Sequence, residues 1–144
     1  MNVRNIQVRP FLRRQPAHPD ISPDQISRLV DDFYSRARAN SRLGPIFQDK
    51  IGADWDVHLL KMKKFWRSVL LRSGEYHGKP VPTHARLNSV VAEDFQIWLK
   101  LFRTTATEIF SPEPRAVVIE AAERIASSLW LSMRHHPTAT KKKI

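Results

Sequence analysis

No cysteine occurs anywhere in the 144 residues. Disulfide scaffolds, thiolate zinc sites, cysteine nucleophiles, iron–sulfur clusters and Cys-ligated haem are therefore excluded. Long apolar runs are missing as well. The longest stretch free of Asp, Glu, Lys and Arg is Ile125 to Met133, nine residues, where a membrane-spanning helix needs roughly 20. Glycine is scarce, with four in the chain. No Gly-rich phosphate loop, no Gly-x-Ser-x-Gly elbow and no His-Glu-x-x-His pair is present. Period-2 strand patterns and internal repeats are absent too.

What remains is a globular composition, 42% apolar, of a length that suits one domain with its own core. The formal charge of +10 invites a nucleic-acid reading, but its distribution weakens that reading. Residues 1–20 carry four Arg and one Asp, and residues 137–144 carry three Lys, leaving only +4 for residues 21–136. Charge concentrated in tails generally serves solubility or loose electrostatic attraction. The expected division is an irregular basic leader at 1–21, a domain at 22–136 and a basic tail at 137–144. The leader contains Arg4, Arg9, Arg13 and Arg14 but no apolar signal core. It reads as a disordered extension, although its composition also suits a transit peptide. A cytoplasmic monomer without a membrane segment is the expectation.

The domain reads as all-α, with four long helices and one extended loop. Ser22, Pro23 and Gln25 form a capping-box start. Ile26, Leu29, Val30, Phe33, Tyr34 and Ala37 follow as one helical stripe. Gly44-Pro45 reads as a stop. Asp54 is a candidate cap for a second stripe through Trp55, His58, Leu59, Met62, Phe65, Trp66, Val69 and Leu70. Two glycines and two prolines between Ser73 and Thr83 mark a loop, with His84 directly after it. A third helix from about Ala92 to Phe110 carries Phe95, Trp98, Leu99, Phe102, Ala106 and Ile109 on one face. Ser111-Pro112 opens the last helix, which ends near His136-Pro137.

Among the six histidines, His18, His135 and His136 fall at the ends of the chain and His77 in the loop. His58 lies on an apolar stripe, where a core histidine with a satisfied hydrogen bond is the simpler reading. His84 alone is an ordinary loop histidine. Together the two suit a haem site, which needs one imidazole as axial ligand, an apolar slot and polar donors on the far face. Phe33, Phe47, Phe65, Trp66 and Phe95 are candidates for the slot, although aromatics at helical spacing usually form plain core. Tyr34 and Trp98 each carry one polar group on a buried stripe. Either could donate to a polar diatomic ligand, or to a nearby carbonyl. Adjacent Asp31 and Asp32 point apart on a helix and read as solvated. The same holds for most of the basic run Lys61, Lys63, Lys64 and Arg67.

Four ordered motifs then resemble the group III truncated haemoglobins. Asp32-Phe33-Tyr34-Ser35-Arg36-Ala37-Arg38 with Leu43-Gly44-Pro45-Ile46-Phe47 is similar to their second helix and the following corner. Trp55-Asp56-Val57-His58 with Phe65-Trp66 resembles their distal helix. Gly74-Glu75-Tyr76-His77-Gly78-Lys79-Pro80 followed by His84 resembles their loop into the proximal histidine. Phe95-Gln96-Ile97-Trp98-Leu99-Lys100-Leu101-Phe102 is similar to their next helix. The resemblance spans roughly residues 21–135, and the glycine pairs of other truncated groups are missing.

The resemblance implies a shortened globin fold, a helical sandwich around one haem b. It implies His84 as the proximal iron ligand, Tyr34 and Trp98 as distal donors, and His58 at the distal gate. Phe47 would pack on the porphyrin, with Met62 and Trp66 lining the distal wall. Lys61 and Arg86 are suggested by position as propionate partners. The expected function is binding of dioxygen or another diatomic ligand. A haem redox enzyme, a nitric-oxide dioxygenase or peroxidase-like, is the alternative, and it would need a separate reductase or a peroxide source. A haem-free helical module that binds nucleic acid or an acidic partner through the tails is the third reading.

Overall fold

The computed structural model describes residues 15–76 and 90–134. Five α-helices run through them: α1 Pro23–Ala39, α2 Leu43–Ile51, α3 Trp55–Leu71, α4 Ala92–Ile109 and α5 Pro112–Arg134. No strand occurs among the described residues. No described helix is long and apolar enough to cross a membrane.

The start of α1 follows its sequence closely. The Ser22 hydroxyl accepts the Gln25 N–H at 3.2 Å, and the Ser22 N–H donates to Gln25 Oε1 at 2.8 Å. Both donors would otherwise be orphaned at a helix end, and such a cap contributes about 1 kcal/mol. The buried face of α1 is Ile26, Leu29, Val30, Phe33, Tyr34 and Ala37, the stripe expected from spacing.

α2 departs from expectation. Gly44-Pro45 does not end an element; it lies in the first turn of one. There the missing proline N–H costs nothing, because first-turn donors have no intrahelical partner. Asn40 forms the corner. Its side-chain oxygen accepts the N–H groups of Arg42 and Leu43, both at 2.9 Å, and its carbonyl accepts the Gly44 N–H at 2.8 Å. Glycine is required at position 44 by close approach, since a Cβ there would lie 2.5 Å from the Arg38 carbonyl oxygen.

α3 begins after Asp54, whose side chain makes no capping bond; only its carbonyl is used, accepting the His58 N–H at 3.0 Å. α4 begins differently. The Asp94 carboxylate turns back to accept the Val91 N–H at 2.8 Å. A two-residue link, Phe110-Ser111, joins α4 to α5, and a link that short makes the two helices antiparallel neighbours.

α1 packs against α2, α3 and α4, and α4 packs against α5. Phe102 sits at the centre. Its ring lies 5.5 Å from Trp98, 5.2 Å from Trp66 and 5.6 Å from Phe33. Ala121, Ala122 and Ala126 bury small side chains on α5, next to Val118. Thr105 is a buried polar residue on α4 that the spacing did not single out. Its hydroxyl donates to Leu101 O at 2.8 Å and accepts from Arg36 at 2.7 Å. The chain before α1 is held as well: Ile21 is buried, Ala17 N–H donates to Leu70 O at 2.7 Å, and Arg72 donates to Gln15 O at 2.9 Å.

Candidate functional site

The helices do not close completely on one another. Between them lies a cleft that is partly open to solvent, the kind of concave, mostly apolar place where small molecules and cofactors bind. Every helix contributes to its wall: Tyr34 from α1, Phe47 from α2, Met62 and Trp66 from α3, Trp98 from α4, and Leu129 from α5. The lining is mainly apolar, so it favours a flat hydrophobic guest over water.

Besides Asp94, two uncharged polar tips, those of Tyr34 and Trp98, interrupt that lining. Tyr34 is buried on the α1 stripe, and burial pushes its phenol well above the usual value, so the hydroxyl keeps its proton. Among the described residues the Tyr34 hydroxyl and the Trp98 indole N–H make no hydrogen bond. Trp55 offers the contrast: its indole N–H donates to Gln48 Oε1 at 3.3 Å. Neither polar atom is fully sealed from solvent, so both are open to an incoming partner. A guest that presents an acceptor to the cleft can pair with them.

An aromatic cluster backs Tyr34. Its ring meets Phe47 at 5.6 Å, Trp55 at 6.0 Å and His58 at 5.2 Å, all edge-on. The Arg38 guanidinium lies 4.2 Å above the Trp55 ring, a cation–π contact that holds this corner. His58 is not on the cleft wall. It is half-buried beside Tyr34 and Trp55, with its Nε2 buried. Its place is next to the phenol donor.

The expected residues thus divide. Tyr34, Phe47, Met62, Trp66 and Trp98 share the cleft, and His58 adjoins it. Lys61 is exposed and not on the wall. Of its basic run, Lys63 pairs with Asp31 at 3.0 Å and Arg67 with Glu75 at 2.7 Å. His84 and Arg86 lie outside the described residues. Two features of the site were not foreseen. Trp55, expected on the stripe and in the distal-helix motif, also completes the cluster behind Tyr34. Asp94, a buried carboxylate on the wall, is held by Arg42 from α2's start.

A helical protein whose helices line an apolar cleft that includes Tyr34 and Trp98 has the architecture of a globin. Comparison with known proteins refines that class. No model of a known protein family matches the chain. It is 36% identical over 110 residues to the group 3 truncated hemoglobin ctb of Campylobacter jejuni, covering 74% of this chain and 87% of the relative. It also superimposes on the crystal structure of the group III truncated hemoglobin from Campylobacter jejuni with a TM-score of 0.76 and 34% identity. That match covers 81% of this chain and 94% of the other. The chain belongs to the group III truncated haemoglobins. Membership implies haem as the prosthetic group, and the chemistry of the cleft fits one: its lining is mainly apolar and includes Tyr34 and Trp98, each with a polar hydrogen that can be donated.

Proposed function

We propose that the chain holds one haem b in this cleft, that His84 would hold its iron, and that dioxygen or another diatomic ligand would bind there. Bound haem supplies an iron centre that takes such a ligand and polarises it. The protein contributes the surroundings. Phe47, Met62 and Trp66 exclude water from the porphyrin face, and in a dry pocket each hydrogen bond is stronger than in solvent. The Tyr34 hydroxyl and the Trp98 indole N–H donate to the polarised ligand. His58, beside Tyr34, governs the approach to that donor. Lys61, exposed one residue before Met62, offers a cation to a propionate reaching solvent, as does Arg86. Redox turnover at this site would take electrons from a separate reductase.

The observation that carries this reading is the pair of donors, Tyr34 and Trp98, on one apolar cleft with no hydrogen-bond partner among the described residues. Two donors predict slow ligand release, which suits capture, sensing or redox chemistry better than transport. The test is haem uptake followed by absorption. The wild-type chain saturates at one haem per chain, with a sharp spectrum that shifts with carbon monoxide. His84→Ala loses or badly alters that spectrum. Absence of specific uptake by the wild type contradicts the proposal.

A further inference from the structure

Asp94 is the cleft's one acidic wall residue among the described residues, and its side chain is only 4% exposed. A buried carboxylate persists only when paired and hydrogen-bonded. Here both conditions are met. Arg42 Nε donates to Oδ1 at 2.6 Å and Arg42 Nη2 to Oδ2 at 2.9 Å, a two-point clamp. Oδ2 also accepts the Val91 N–H at 2.8 Å, which fixes the first turn of α4. The Arg42 end is 47% exposed, so the clamp reaches from solvent to the cleft wall.

Its position relative to the donors is specific. Arg42 immediately precedes α2, and Phe47 lies on the next turn of that helix. Asp94 is in the first turn of α4, and Trp98 is four residues on, hence on the same face. One ion pair therefore ties together the starts of the two helices that bring Phe47 and Trp98 to the cleft wall. The Trp98 ring packs on Phe102 at 5.5 Å and on Phe33 at 5.3 Å, and among the described residues its indole N–H makes no hydrogen bond.

We infer that the Arg42–Asp94 pair is a positioning device for Trp98: by anchoring the α4 start to the α2 corner, it sets where the indole N–H points and so how strongly the bound ligand is held. This deepens the proposed ligand-binding function and rests on it. Asp94 never touches the ligand; it acts through the helix turn that carries the donor.

The test is a double-mutant cycle on the haem-loaded protein, using Asp94→Asn in the wild-type and Trp98→Phe backgrounds. Oxygen release and the carbon monoxide stretching band are read together with thermal unfolding. Asp94→Asn alone should speed release about threefold to tenfold, the loss of part of one hydrogen bond, and move the stretching band to higher frequency. In the Trp98→Phe background it should change neither, because the group it positions is gone. Arg42→Gln should reproduce the effect from the solvent-exposed end, and Arg42→Lys, which keeps the charge but loses the fork, should restore part of it. A lower unfolding temperature with release rate and band unchanged, or equal acceleration in both backgrounds, overturns the inference. Failure of the wild type to take up haem overturns the functional reading and this inference with it. Haem uptake without the non-additive pattern overturns this inference alone.

Discussion

The indole of Trp98 stacks on the ring of Phe102, centroids 5.5 Å apart and planes 16° from parallel. Phe102 is fully buried, while Trp98 stands at the cleft wall. The core thus presents a rigid plane against which a cleft-facing donor is laid. Offset stacking of this kind contributes about 0.5–1.5 kcal/mol beyond the area buried.

Truncation of that plane should be felt twice. Phe102→Ala leaves a cavity among Trp98, Trp66 and Phe33, and such changes cost about 3–5 kcal/mol. It also frees the indole, so ligand release should quicken. Urea unfolding and release kinetics on the same sample check both effects. A stable variant with unchanged release would remove Phe102 from the account.

The α1–α2 corner offers a sharper steric test. Gly44→Ala places a Cβ 2.5 Å from a backbone carbonyl that cannot yield like a side chain. Strain of this sort costs about 1–3 kcal/mol. Since α2 carries Phe47, haem affinity should fall along with stability. Thermal unfolding and haem titration of the variant measure the two separately.

Acid sensitivity should trace to one ion pair at the end of α3. Arg67 donates to both oxygens of Glu75, and these bonds, with one from Ser73, lower its carboxyl from 4.5 to about 2. A carboxylate whose folded value is depressed stabilises the fold above its unfolded value. That contribution is lost as pH falls through the window from about 4.5 to about 2. Asp94, lowered by Arg42 from 3.8, works in the same direction. Glu75→Gln should therefore unfold at a lower temperature than wild type at neutral pH, and the difference should vanish at the acid end of the window. A constant difference across pH would rule out this linkage.

Where sequence and structure agree, the reason is local. The α1 capping box uses three adjacent positions, and the stripe carrying Tyr34 repeats at helical spacing. The face of α4 with Trp98 and Phe102 is legible on the same ground. α2 was not, because glycine and proline side by side usually break a helix; the tight fit of Gly44 against Arg38 O and the first-turn place of Pro45 explain them inside one. Asp94 was hidden because its partner Arg42 lies 52 residues earlier in the chain. The part of the cleft wall on α5 is not legible in the sequence, since apolar spacing on one helix does not say whether another helix or a cavity faces it. His58 was placed on the right stripe, yet its position behind the phenol and off the wall depends on how α1 and α3 pack.

The most direct test of the two-donor claim is the oxygen dissociation rate of the haem-loaded protein as wild type, Tyr34→Phe, Trp98→Phe and the double variant. One hydrogen bond of about 1 kcal/mol corresponds to roughly a fivefold change in rate. Each single variant should release oxygen about fivefold faster or more, and the double variant faster than either. Release rates indistinguishable from wild type in all three variants would contradict the assignment of Tyr34 and Trp98 as the groups that hold the ligand.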